Sequence, residues 1–298
     1  MSAHNTLHKV VVIGGGYAGT LAANRLRARD DADITLVNPR PEFVERIRLH
    51  QFAARTGDAT IDYGALLGKG VELVADSAAY IGTTARTVRL ASGRALDYDY
   101  VIYAVGSTGA TPASVPGAVE HAVPIAELES AQRLRARLDE LPLDAPVTVV
   151  GGGLTGIVTA GDAAAPSGQP LRMSGCAAGP LGAQAADTVL SRIAGTGPAV
   201  IDLAFTGACV SLGRRAGLRQ FARKDDTAVN LYIGGRMGAA IKEVTCKFVV
   251  AKRIRREADR PGSMGWPKGG PRPAGAISSA GTASSAGTTS SAGEVTSP

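Results

Sequence analysis

No apolar run in this 298-residue chain is longer than a β-strand, so no segment reads as a membrane span. The polar stretch Met1 to Lys9 leads straight into Val10-Val11-Val12-Ile13, which is too short for a secretory apolar region. The expected compartment is the cytoplasm. The three cysteines, Cys176, Cys209 and Cys246, form no Cys-x-x-Cys or Cys-x4-Cys pair. That spacing argues against a disulfide framework, a zinc site and a redox-active dithiol, and free buried thiols are the plain expectation. Aromatic residues make up 4% of the chain, few for a base-stacking surface, and no nucleic-acid partner is expected.

What is present describes a globular protein: 45% apolar and 19% charged residues, with length for two modest domains. The net charge of +6 is uneven. From Lys242 to Arg260, seven basic residues face three acidic ones. Such a run suits an anionic lipid surface or nucleic acid, and equally a solvated helix face. Beyond Gly262, Ser-Ser-Ala-Gly recurs at Ser278, Ser284 and Ser290 with almost no large apolar side chain. A segment of this kind cannot bury enough surface to offset its ordering entropy, and disorder is expected.

Residues 9–38 read as strand, turn, helix, strand. Lys9–Ile13 is β-branched after the lysine, Ala18–Arg29 carries Leu21, Ala22 and Leu26 at helical spacing, and Asp33–Val37 forms the next strand. The turn holds Gly14-x-Gly16-x-x-Gly19 between strand and helix, the context that gives this pattern meaning. Gly14 permits the tight turn, Gly16 admits a pyrophosphate, and Gly19 lets helix and strand pack closely. The helix N-terminus adds free N–H groups and partial positive charge. Asn38 stands where the fingerprint calls for an acid on the ribose hydroxyls, and its amide can still hydrogen-bond a diol. A β-meander is expected over 70–105, with strands at Val71–Val74, Thr87–Leu90 and Tyr100–Val105 and a turn at Gly93. A linker with Pro112 and Pro116 follows, then a helix near Ile125–Leu141 and a strand Val147–Val150. Helix is expected again at Cys176–Ile193, and a strand-and-helix segment spans Val210–Arg260.

Three features select FAD over NAD at the first glycine turn: its N-terminal position, a meander ending in Tyr100–Gly106, and the late Ala160-Gly161-Asp162-Ala163. A simple NAD-dependent dehydrogenase is disfavoured by Asn38 and by the meander. The set resembles two-dinucleotide-domain flavoproteins of the pyridine nucleotide-disulfide oxidoreductase superfamily, within it the type II NADH dehydrogenase and apoptosis-inducing-factor-like branch. Phe43–Gln51 and Ser211–Arg215 resemble that branch as well. The resemblance implies an α/β fold with a Rossmann-like parallel sheet, FAD as cofactor, and NAD(P)H as co-substrate. A quinone or other small molecule would accept the electrons, with peripheral membrane contact through Lys242–Arg260. It also implies that Asp162 accepts a hydrogen bond from the ribityl chain, that Ala104 and Gly106 pass close to the flavin, and that Ala78 lies near adenine. Arg48 and His50 would contact pyrophosphate or quinone, or serve only as a surface arginine and a satisfied histidine. No general acid or base stands out.

A second cluster, Gly151-x-Gly153-x-x-Gly156, opens the NAD(P)H domain in the resembled family. A working unit needs a helix of about 12 residues, a strand and an acid after it. Here Gly161-Asp162 arrives five residues after Gly156, and Gly161, Pro166 and Gly168 leave no room for that helix. The family's Gly-Ile-Glu is replaced at its last position by Val158. Ile157-Val158-Thr159 is therefore expected to complete the FAD sheet, leaving Gly151–Gly156 as the vestige of a site. The expected organisation is an FAD-domain first half at 1–109 and an NAD(P)H-domain remnant at 110–159. The FAD-domain second half follows at 160–261, with a tail at 262–298.

Overall fold

The computed structural model describes residues 7–109, 116–142, 145, 175–197, 202–211, 215–247 and 252–269. Chain order begins β1 (His8–Ile13), α1 (Tyr17–Leu26), β2 (Ala32–Asn38), β3 (Glu42–Val44), α2 (Leu49–Ala53), β4 (Thr60–Asp62) and β5 (Val71–Ala75). It continues with β6 (Ala78–Gly82), β7 (Thr87–Leu90), β8 (Ala95–Asp97), β9 (Tyr100–Tyr103), α3 (Ala118–His121), α4 (Leu128–Glu140) and α5 (Gly175–Ile193). Last come β10 (Gly207–Ser211), β11 (Gly217–Ala222), β12 (Ala228–Ile233), α6 (Gly235–Lys247) and α7 (Arg255–Asp259).

A four-stranded parallel sheet, ordered β5-β2-β1-β9, is the centre of the N-terminal part. β1 runs between β2 and β9, with Val10 opposite Ile34 and Tyr100. Its β-branched residues are buried on both faces, as a central parallel strand requires. Val10 and Val12 point to α1 and α5, while Val11 and Ile13 meet Val88, Leu90 and Tyr98 of the meander. The meander itself is β6-β7-β8, and Gly93 (φ +89°) turns β7 into β8. The expectation that Val71–Val74 and Tyr100–Val105 belong to it is corrected, because both pair in the parallel sheet. Helix α1 also stops at Leu26 rather than Arg29, through a tightened turn in which Ala28 N–H bonds Arg25 C=O at 3.0 Å.

Helix α1 is buried along nearly its whole length because α5 covers the side turned from the sheet. Gly182 permits that closeness, since a Cβ there would overlap the Ala18 backbone. At the end of α1, Arg25 donates to Asp187 of α5 at 2.5 and 2.9 Å and to Glu257 of α7 at 3.3 Å. Glu257 is fully buried and accepts further from the N–H groups of Gly262 and Met264, each at 2.7 Å. Residues 262–269, expected in the tail, are therefore packed: Met264 joins the main core and Trp266 Nε1 donates to Asp202 C=O at 2.9 Å. Residues 270–298, with the serine repeat, lie outside the described residues.

Helix α4 has only Leu128, Ser130 and Ala131 buried. Its attachment is electrostatic as well as apolar. Arg40, Arg46 and Arg55 pair with Glu129, Glu127 and Asp139, around a small core of Leu49, Ala59, Leu128 and Ala131. The predicted strand Val147–Val150 lies outside the described residues.

Breaking a buried ion pair strands a charge, whereas an exposed pair is screened. Arg25→Ala should cost about 3 kcal/mol or more of unfolding free energy. Arg55→Ala, at an exposed pair, should cost under about 1 kcal/mol. Urea titrations of the two variants check the contrast.

Candidate functional site

The ends of β1, β2 and β9 meet at the C-terminal edge of the parallel sheet, where ligands bind in open α/β sheets. Gly14 (φ +99°) leaves β1 there, its N–H bonding Val37 C=O at 2.8 Å, while Ala104 N–H bonds Ile13 C=O at 2.8 Å. A Cβ on Gly14 would overlap the Ala104 carbonyl, and one on Gly19 would overlap the Gly14 carbonyl. Glycine is thus required at both places by backbone approaching backbone. Gly16 caps α1 in extended conformation, with its carbonyl accepting from Thr20 N–H at 3.0 Å. The first-turn N–H groups that follow have no acceptor within the helix. Gly14 and Gly16 are both partly open to solvent. This cradle fits a pyrophosphate.

The residue between them, Gly15, was not singled out by the fingerprint, yet it is bonded at both its N–H and its carbonyl. Its N–H donates to Asn38 Oδ1 at 3.0 Å, and its carbonyl accepts from Tyr63 O–H at 2.6 Å and Thr20 Oγ1 at 2.9 Å. A Cβ would fall on the Tyr63 hydroxyl. Tyr63 is held in turn by Phe43, which stacks edge-to-face on both Tyr63 and Tyr17 at centroid distances of 6.3 and 5.1 Å. Tyr63 lies 48 residues from Gly15, and no local pattern marks it. Burial raises the Tyr63 phenol well above its ordinary pKa, so it remains a donor.

Residues 8–170, more than half of the chain, match the family described as pyridine nucleotide-disulphide oxidoreductase. The chain belongs to that family. An NADH dehydrogenase-like protein of Mycobacterium tuberculosis is 35% identical over 167 residues, covering 51% of this chain and 41% of that protein. The sulfide-quinone reductase of Aquifex aeolicus is 33% identical over 159 residues, covering 52% and 36% respectively. A type II NADH:quinone oxidoreductase of Staphylococcus haemolyticus is 27% identical over 176 residues, covering 52% and 42%. The matched part spans about two-fifths of each of these relatives.

Among the family residues expected at the site, Gly14, Gly16, Gly19, Asn38, Ala104 and Gly106 come together at this edge. Gly106 adopts φ +74° just past β9. The Asn38 carboxamide is engaged within the protein at both ends, since Nδ2 donates to Arg40 C=O at 2.8 Å. Its oxygen and its nitrogen each keep further bonding capacity for a diol. Ala78 begins β6 and packs against the core between sheet and meander. Asp162, Gly151, Gly153 and Gly156 lie outside the described residues.

Arg48 and His50 belong to a charged cluster behind the turn. Arg48 bonds Glu45 at 3.1 Å and Glu243 of α6 at 3.4 Å. Burial, with a further contribution from Glu45 and Cys246, holds the Tyr17 phenol well above its usual range. Burial raises the Glu45 carboxyl against the pull of Arg48, and burial with Lys242 and Arg48 lowers His50.

These shifts act on stability with opposite sign. Native His50 binds its proton less readily than the unfolded chain, so its contribution is lost as pH falls from 7 towards 5. Native Glu45 binds its proton more readily, so its contribution grows on the same acidification. His50→Gln should therefore lose less stability than the parent across this interval, and Glu45→Gln should lose more, as read by denaturant unfolding at each pH. Gly15→Ala, which must displace Tyr63, should cost about 1–3 kcal/mol in the same assay.

Proposed function

We propose that this chain binds FAD at the Gly14–Gly19 turn and is a flavin-dependent oxidoreductase of the NADH dehydrogenase type. Hydride would pass from NAD(P)H to the flavin and electrons on to a quinone or other small acceptor. The observation that carries the reading is the cradle itself: a glycine turn open at Gly14 and Gly16, against Ala104 and Gly106, in a chain of this family. The first-turn N–H groups of α1 would hold the pyrophosphate. Asn38 would bond the ribose hydroxyls, Ala78 would lie near adenine, and Asp162 would accept from the ribityl chain. When bound, the flavin supplies the redox chemistry, and the protein contributes position and electrostatics. Relatives named for NADH, sulfide and quinone support the substrate class.

The domain organisation given by the sequence belongs to this proposal, with 110–159 as the remnant of the NAD(P)H unit. A second reading, flavin binding without NADH turnover, is favoured by the arrival of Gly161 only five positions after Gly156. Membrane contact would be peripheral. Among the described residues no helix is long and apolar enough to cross a bilayer. Lys252, Arg253 and Arg256 line a cavity of about 230 Å³ with Ser263 and Met264, a basic surface suited to anionic headgroups.

Anaerobic titration with NADH separates the readings. The purified chain should carry, or take up, FAD and show a flavin spectrum. Bleaching by NADH supports the oxidoreductase. A flavin that NADH leaves oxidised leaves only the binding remnant. A colourless protein that takes up no FAD removes both.

A further inference from the structure

Past Ala104 the chain leaves the sheet, and its course over Ser107–Gly109 is set by contacts from elsewhere. Arg46, in the short 3-10 turn Arg46–Arg48, reaches across to this segment with a side chain 16% exposed. Its Nη1 donates to Ser107 C=O at 2.6 Å, Nε to Ala126 C=O at 3.0 Å, and Nη2 to Glu127 Oε1 at 3.3 Å. The same Glu127 oxygen accepts from Gly109 N–H at 3.2 Å. Gly109 lies so near Ala126 that a Cβ on it would overlap the alanine methyl. The loop therefore has two anchors: Ala104 on β1 at one end, and the Arg46–Glu127 pair at the other. Gly106, in its left-handed conformation, lies between them.

We propose that Arg46, backed by Glu127, is a positioning residue for the cofactor, holding the Ala104–Gly109 loop at the distance from the Gly14 turn that a flavin requires. The inference rests on the FAD reading above. A planar guanidinium presents its donors in a fixed fork to these three acceptors, whereas an ammonium is a compact point charge on a flexible stem. Arg55 provides the comparison. It also ties the N-terminal part to α4, through Asp139, but its pair is exposed and bonds no residue of the loop.

The test uses the full chain and two readouts, the FAD dissociation constant and the visible absorption bands of the bound flavin. Arg46→Gln should weaken FAD by about tenfold, equivalent to about 1.4 kcal/mol, and should change the shape of the bands. Arg46→Lys should restore part of both, and Glu127→Gln should move both in the same direction as Arg46→Gln. Arg55→Gln should leave both as in the parent. The proposal is overturned if Arg46→Gln binds FAD with parental affinity and spectrum. It is equally overturned if Arg55→Gln matches the loss, since docking of α4 alone would then explain it. If Arg46→Gln does not fold, Glu127→Gln decides by the same criteria. A parent protein that takes up no FAD overturns the cofactor reading first, and this proposal with it.

Discussion

Gly15, bonded through both its N–H and its carbonyl, is the constraint on which the rest of the N-terminal structure depends. Asn38 holds its N–H from the end of β2, while Tyr63 and Thr20 hold its carbonyl. With the peptides on either side of Gly15 fixed, Gly14 is pressed against Ala104 and Gly19 against Gly14, and the first turn of α1 is aimed across the sheet edge. The turn is rigid because its neighbours leave no room for a side chain. Preorganised N–H groups need no rearrangement to meet an anion, and this is the physical basis for a tight phosphate cradle.

Arginine joins the parts of the chain that have little apolar surface to share. Arg25 links α1, α5 and α7 through Asp187 and Glu257, and Arg46 links the glycine edge to the start of α4. These are the partly buried pairs, where removing one member leaves a charge or carbonyl without compensation. Arg40 and Arg55 make similar pairs nearer solvent, where the contribution is small. The α4 segment is thus fastened chiefly at its first turn, next to the glycine edge. A helix with few buried residues is held because it shares anchors with the glycine edge.

Much of the site was legible in the residues alone, for reasons that differ from place to place. Gly14, Gly16 and Gly19 stand in one turn, and a strand and a helix of unmistakable pattern flank them. Backbone approach of this kind demands glycine, so it leaves a readable trace. Ala104 and Gly106 were pointed to by the family resemblance, as small residues where the strand ends. Tyr63, Arg46 and Glu127 were not, because a tyrosine or an arginine is compatible with many surroundings and only distance in space gives it a task. The meander was misread at its two ends for a related reason. A β-branched run signals a strand, but nothing in Val71–Val74 or Tyr100–Tyr103 says which neighbour it will pair with.

Local chemistry therefore decided where chain direction changes and which face of each element is apolar. The β-branched run Val10–Ile13 announced a strand, and the structure buries it on both faces. The tertiary structure alone decided that Tyr63 closes over Gly15, that Asn38 turns its oxygen to a backbone N–H, and that residues 262–269 pack beneath Arg25. Each of these joins residues at least 20 positions apart. Periodicity records what a residue does for its own helix or strand. It carries no record of the contacts that folding brings together from a distance.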